Sequence, residues 1–259
     1  MLLTIDIGNT NITLGVFKIK SGKALKGPLK IWRLSTDRNT TSDEYALRIL
    51  DLFKYSLIEY KYVKAVAIAS VVPYLDEVFE EISEKAFAKK PFFVEATKQS
   101  YLKLSYDNPK EIGADRIADA VAAYEFYGGP IIVIDFGTAT TFDCISGKKE
   151  YLGGAIVPGI RVSAESLARK TAKLPLVEIK KTNKIIGKST ISGIQSGLYF
   201  GYVGLVKELI EGINKEMPNP KVIATGGLAP LITKDIKAVK AIVPELTLEG
   251  IRIIWNLGN

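Results

Sequence analysis

The chain has 259 residues, 47% hydrophobic and 24% charged, with a formal net charge of +7, enough to bury the core of one large domain or two of ordinary size. It has no histidine and one cysteine, Cys144. That excludes an intrachain disulfide, a thiolate metal cluster and any histidine base, zinc ligand or pH switch, so a general base here is a carboxylate. The lysines are spread along the chain, and the dense stretches Lys18–Lys30 and Lys180–Lys188 lack the interleaved aromatics of a base-stacking surface; no nucleic-acid partner is expected.

The opening MLLTIDIGNT carries Asp6 and no basic flank, unlike a signal peptide. Leu2–Ile7 and Ile12–Phe17 read as strands joined by the turn Gly8-Asn9-Thr10, and Leu29–Leu34 as a third strand. Ser42 is the expected cap of a helix to about Tyr55, with Tyr45, Ile49, Leu52 and Phe53 on one face. Val63–Ala69 is an apolar strand, and Pro73 opens a helix over Leu75, Val78, Phe79 and Ile82. The longest apolar run, Ala65–Leu75, is too short to span a bilayer, so a cytoplasmic protein with no membrane partner is expected. A short strand over Phe92–Val94 and a helix over Gly113–Tyr127 close the first half.

Gly128-Gly129-Pro130 breaks the chain, and the pattern restarts. Ile131–Asp135, Thr140–Ile145 and Tyr151–Val157 read as strands, Ile160–Leu167 as a short helix, and Ser192–Met217 as containing a long one. Strand and helix then alternate through Val222–Ala224, Leu228–Ile232, Ala241–Val243 and Leu248–Trp255. Each half thus gives three strands followed by alternating helices and strands. This predicts a duplicated α/β architecture with mixed sheets, divided into residues 1–128 and 129–259, with a ligand in the cleft between the copies.

Residues 5–11 read IDIGNTN and residues 134–140 read IDFGTAT. Asp and Gly are ordinary turn residues, but two such turns, each opening a half of matching element order, point to a pair of phosphate loops. Gly8 and Gly137 admit a close ligand. Thr10, Asn11, Thr138, Thr140 and Thr141 offer donors for its oxygens, and Asp6 and Asp135 can hold metal ions. Thr225-Gly226-Gly227 after an apolar strand lets a base or ribose lie on the backbone, although a plain strand-to-helix turn reads the same way. Gly187-Lys188-Ser189-Thr190 imitates the end of a Walker A loop, but that motif needs glycine where Thr182 stands.

These motifs resemble the acetate and sugar kinase, Hsp70 and actin superfamily, and within it the type III pantothenate kinases. Asp6-Ile7-Gly8-Asn9-Thr10, Gly113-Ala114-Asp115-Arg116, Asp135-Phe136-Gly137-Thr138-Ala139-Thr140-Thr141, Gly153-Gly154 with Pro158-Gly159, and Thr225-Gly226-Gly227 occur in the family's order over nearly the whole chain. The resemblance implies two duplicated RNase H-like (actin-like ATPase) domains with mixed five-stranded sheets. It also implies ATP-dependent phosphorylation of pantothenate, the first step of coenzyme A synthesis, by a homodimer. By the same resemblance Asp115 is the base on the substrate hydroxyl, and Tyr106, Gly113, Ala114, Asp115, Arg116 and Thr190 line the pantothenate site. Asp6, Ile7, Gly8, Asn9, Thr10, Asn11, Ile12, Thr13 and Thr138 hold ATP, and Asp135 holds a monovalent cation, K⁺ or NH₄⁺. Mg²⁺ accompanies ATP, with Asp6 holding it directly or through water.

The residues themselves allow this chemistry. Arg116 can fork onto a substrate carboxylate. A helix-terminal Asp is a weak base, which phosphoryl transfer tolerates because the base chiefly orients the hydroxyl. Thr190 stands near a helix start, where capping is an equally ordinary role. Gly193, Gly197 and Gly201 form a smooth stripe that faces either the domain's own core or a second copy of the chain. Two rivals remain: a regulatory protein of the same fold without turnover, and a kinase for another small hydroxy acid.

Overall fold

The computed structural model describes residues 1–258. The chain divides into two compact units, Met1–Glu125 together with the segment from Glu245 onward, and Phe126–Pro244.

In the first unit β1 (Leu2–Ile7) and β2 (Asn11–Phe17) form a hairpin, followed by the two-residue strands β3 (Ile19–Lys20) and β4 (Lys23–Ala24) and by β5 (Lys30–Ser35). Then come α1 (Ser42–Tyr55), β6 (Ala65–Ser70), α2 (Asp76–Phe87), β7 (Phe92–Phe93), β8 (Lys103–Leu104) and α3 (Ala114–Tyr127). The sheet order is β5-β2-β1-β6-β7, antiparallel through β5, β2 and β1 and parallel from β1 to β7. The central strand β1 is buried along its length except at the half-buried Asp6, with Thr4 buried among its apolar residues. On one face Leu3, Ile5 and Ile7 pack with Tyr45, Ile49 and Phe53 of α1 and with Phe79 and Ile82 of α2. Each such fully buried side chain contributes about 1.5–3 kcal/mol. α1 is capped by Thr41 rather than by Ser42: the Thr41 hydroxyl accepts from Glu44 N–H, and the Glu44 carboxylate accepts from Thr41 N–H, a reciprocal capping box.

The last helix, α7 (Leu246–Leu257), belongs to this first unit, whereas chain order put it with the second half. Its Leu248 reaches Gly15 of β2, and it docks through polar side chains on the β4 region. Arg252 is paired with Glu249 at 2.6 Å, both buried, and donates to the Ala24 carbonyl; Glu249 accepts from Gly27 N–H, and Asn256 binds both backbone groups of Ala24. Such long-range pairings leave no local period for a sequence reading to detect.

The second unit contains β9 (Ile131–Phe136), β10 (Ala139–Ile145), β11 (Glu150–Pro158), α4 (Ile160–Lys170), α5 (Thr190–Glu216), β12 (Lys221–Thr225), α6 (Ala229–Ile232) and β13 (Val239–Ile242). Within it the strand order β13-β12-β9-β10-β11 repeats that of the first unit, antiparallel through β9, β10 and β11 and parallel from β9 to β13. Tyr199, Tyr202, Val203, Val206 and Ile210 of α5 pack on Ile132, Ile134 and Phe136 of β9. Residues 171–189 have no regular structure and are pinned to the unit by the ion pair Lys181–Asp235 at 2.7 Å and by Ser196 donating to the Ile185 carbonyl. The Tyr199 hydroxyl donates to Asp235, and burial together with that carboxylate pushes its pKa up to about 12.

The glycine stripe turns away from the core. Gly193, Gly197 and Gly201 are exposed, with open space where a side chain would stand, so the reading in which they face their own domain is corrected.

Candidate active site

The two phosphate-loop candidates are built alike. β1 is LLTIDI and β9 is IIVIDF, and each has four buried residues, then a half-buried aspartate, then a buried residue. Asp6 stands opposite Thr13 of β2 and beside Ala69 of β6; Asp135 stands opposite Thr141 of β10 and beside Thr225 of β12. The following turns close by Gly8 N–H donating to the Asn11 carbonyl (3.0 Å) and Gly137 N–H to the Ala139 carbonyl (3.1 Å). Asn9, Thr10 and Asn11 are exposed, and the Thr36 hydroxyl fixes the first turn by donating to the Gly8 carbonyl.

In the second turn the hydroxyls divide by strand position. Thr138 is exposed. Thr140 is buried and accepts from the Tyr202 hydroxyl at 2.6 Å, while Thr141 donates to Asp143. Asp143 is itself buried, accepting from Tyr151 at 2.6 Å. Thr140 and Thr141 thus hold partners within the unit, and Thr138 is the exposed hydroxyl of the turn.

Around Asp135 the backbone is cut back. Gly226 has φ +89°, and a Cβ there would stand 2.5 Å from Asp135 Oδ1; one on Gly137 would stand 3.1 Å from Oδ2. Two glycines thus keep side chains away from both oxygens of one carboxylate. Carboxylate, hydroxyl and carbonyl oxygens of this kind could hold a hard cation. Asp6 presents the same donor chemistry beside its own turn, a set that suits Mg²⁺, which uses one or two carboxylates with substrate phosphates and water.

Within the first unit a third motif meets the first turn. Val71 N–H donates to the Ile7 carbonyl, and the Val71 side chain lies 3.3 Å from where a Cβ on Gly113 would stand. Gly113 precedes α3, and its missing Cβ makes room for Asp115, whose Oδ1 would lie 2.5 Å away and accepts from Arg116 N–H at 2.7 Å. Asp115 and Arg116 are half-buried at the start of the helix. A cavity of about 450 Å³ has Gly113 and Ala114 in its wall. Tyr106 is half-buried in the segment before the turn at Pro109–Glu111. Thr190 is exposed in the first turn of α5, whose cap is Ser189, not Thr190. Ser70 and Lys110, also in the cavity wall, were not singled out from sequence: Asn108-Pro109 signals a turn, but nothing local says what the turn lines.

No helix among the described residues is long and apolar enough to cross a membrane. The fold is similar to that of an inorganic polyphosphate/ATP-glucomannokinase from Arthrobacter sp. strain KM, 19% identical, TM-score 0.51, covering 100% of this chain and 99% of that one. It is also similar to a protein described as a Baf family transcriptional activator from Campylobacter jejuni, 19% identical, TM-score 0.60, covering 99% and 98%. In sequence the chain is 52% identical over 256 residues to a type III pantothenate kinase of Endomicrobium trichonymphae, covering 99% of both, and 48% identical over 261 residues to one of Koribacter versatilis (strain Ellin345), covering 99% of this chain and 95% of that one. The profile of the type III pantothenate kinases matches residues 2–212. With its doubled strand–aspartate–glycine turns and the Gly113–Arg116 helix start inside that match, the chain belongs to the type III pantothenate kinase family.

Proposed function

We propose that this protein transfers the γ-phosphoryl group of ATP to the hydroxyl of pantothenate, giving 4′-phosphopantothenate and ADP, as the first step of coenzyme A synthesis in the cytoplasm. The observation that carries the reading is the start of α3, where Asp115 follows directly on the cavity wall formed by Gly113 and Ala114. The hydroxyl oxygen attacks the γ-phosphorus, the bond from that phosphorus to the bridging oxygen of ADP breaks, and the hydroxyl proton passes to the Asp115 carboxylate. Arg116 offers a planar fork for the pantothenate carboxylate, with Tyr106 and Thr190 as further contacts of the substrate.

Residues Asp6 to Thr13 and Thr138 are the proposed ATP contacts, through backbone amides at glycine turns and exposed hydroxyl and amide side chains. Residues 6–17, 134–147 and 223–233 contain neither Lys nor Arg, so the charge neutralisation that ATP needs comes mainly from bound cations or from a basic residue reaching in from elsewhere. Asp6 would hold Mg²⁺, directly or through water, and Asp135 in its glycine cradle would hold K⁺ or NH₄⁺. The exposed stripe Gly193, Gly197, Gly201 supports a homodimer in which a second copy approaches α5 closely.

The test is ADP release from ATP over a panel of small hydroxyl compounds, in K⁺ or Na⁺ at constant ionic strength with Mg²⁺ present. Turnover confined to pantothenate and favoured by K⁺ is expected. Turnover of a different hydroxy acid would replace the substrate, equal rates in Na⁺ and K⁺ would remove the monovalent site, and no turnover with retained nucleotide binding would favour a regulatory protein.

A further inference from the structure

The cavity beside Gly113 and Ala114 is lined in part by apolar side chains, among them Val71, Val94 and Ile112, and by three charged residues, Glu95, Lys110 and Glu111. Both carboxylates are engaged: Glu95 accepts from Lys98 at 2.6 Å, and Glu111 accepts from Asn108 Nδ2 at 2.7 Å. The Lys110 ammonium makes no hydrogen bond or ion pair among the described residues. Lys110 is thus the one cation among the lining residues and has no partner among the described residues, while Glu111 beside it keeps its negative charge; the turn that carries both ends two residues before Gly113.

We propose that Lys110 is a specificity-determining residue of the acceptor pocket, binding the carboxylate of a small hydroxy acid whose hydroxyl is directed to Asp115. This rests on the pantothenate reading and adds to it. Arg116 at the helix start and Lys110 in the turn before it give the acid group two cations, while the apolar wall takes the carbon chain. A flexible, exposed ammonium acts here as a point charge rather than a fork, so its contribution is to affinity for the charged acid and not to the chemical step.

The test compares the wild-type chain, Lys110→Ala and Lys110→Arg on pantothenate and on its alcohol analogue pantothenol, which keeps the hydroxyls and lacks the carboxylate. ADP release gives KM and kcat, and calorimetry without ATP gives Kd. In Lys110→Ala the KM and Kd for pantothenate should rise about tenfold, the size of one lost charged hydrogen bond. The kcat should stay within about twofold and the KM for pantothenol should not move; Lys110→Arg should recover most of the affinity. Unchanged pantothenate affinity in Lys110→Ala, or an equal rise for both ligands, overturns the assignment. A wild-type chain that neither binds nor phosphorylates pantothenate overturns the substrate reading and this inference together. A wild type that does both, matched by Lys110→Ala, overturns this inference alone.

Discussion

Substituting Gly226 by alanine tests whether the Asp135 cradle is built by steric exclusion. At φ +89° an L-residue is strained by about 1–2 kcal/mol. The new methyl would also stand 2.5 Å from Asp135 Oδ1 and 2.7 Å from backbone atoms of Phe136, where unstrained carbon contacts need about 3.5–4.0 Å. The backbone of β9 cannot step aside without disturbing its pairing with β10 and β12, so an overpacking cost of about 1–3 kcal/mol applies. The combined loss of about 2–5 kcal/mol corresponds to a Tm lower by about 4–20 °C at this chain size. Gly227 is the internal control, with nothing within 4 Å of a Cβ at that position. Thermal unfolding followed by circular dichroism should rank Gly226→Ala well below both Gly227→Ala and wild type. At a temperature where both are folded, ADP release in K⁺ should be lower in Gly226→Ala than in wild type. A Gly226→Ala chain as stable as Gly227→Ala and as active as wild type would refute both the exclusion argument and the cradle.

Asp115→Asn should lower kcat by about 10²-fold or more while nucleotide binding persists, because an asparagine oxygen can still accept from Arg116 N–H; near-normal turnover would remove Asp115 as the base. Glu249→Ala leaves the Arg252 guanidinium buried without its 2.6 Å partner and should cost about 3–5 kcal/mol, read as a lower urea midpoint; a change under about 1 kcal/mol would mean that Arg252 finds water instead. Asp76 carries a buried Oδ1 with no hydrogen-bond partner among the described residues, and burial pushes its carboxyl pKa up, opposed by a hydrogen bond from Ser70. A raised carboxyl pKa means the folded state holds the proton longer than the unfolded one, so stability falls as pH rises from the ordinary carboxylate range through the raised value. Asp76→Asn should therefore raise Tm at pH 7 and lose that advantage at pH 4; a lower Tm at pH 7 would show that the charge at the start of α2 is worth more than its desolvation costs.

The sheets were legible because their strands are short apolar runs bounded by Gly, Pro, Asn and Asp, and because the second half repeats the first. Both aspartates could be placed at strand ends from sequence for the same reason. What failed depends on distant or geometric facts. The cap at Thr41 needed Glu44 to fold back, which Ser42 in the neighbouring position masks. The partners of Thr140 and Thr141 are Tyr202 and Asp143, one distant in sequence and the other itself accepting from Tyr151. The outward turn of Gly193, Gly197 and Gly201 follows from the other face of α5 carrying Tyr199, Val203 and Val206 into the core; a count of glycines cannot give that orientation.

The contacts of Glu249, Arg252 and Asn256 with the Ala24–Gly27 segment also set an order of events on the ribosome. β1 and the helix α7 of the same unit are made at different times, with the whole of Phe126–Pro244 between them. At about 5–20 residues per second that wait is on the order of ten seconds, during which Gly15 lacks the covering Leu248 and the β4 turn lacks its polar anchor. The later unit, continuous in the chain, has all its residues before the earlier one does. Nascent chains of this protein thus carry a complete but uncovered first sheet until α7 emerges, and the docking of that helix is the step that closes the unit.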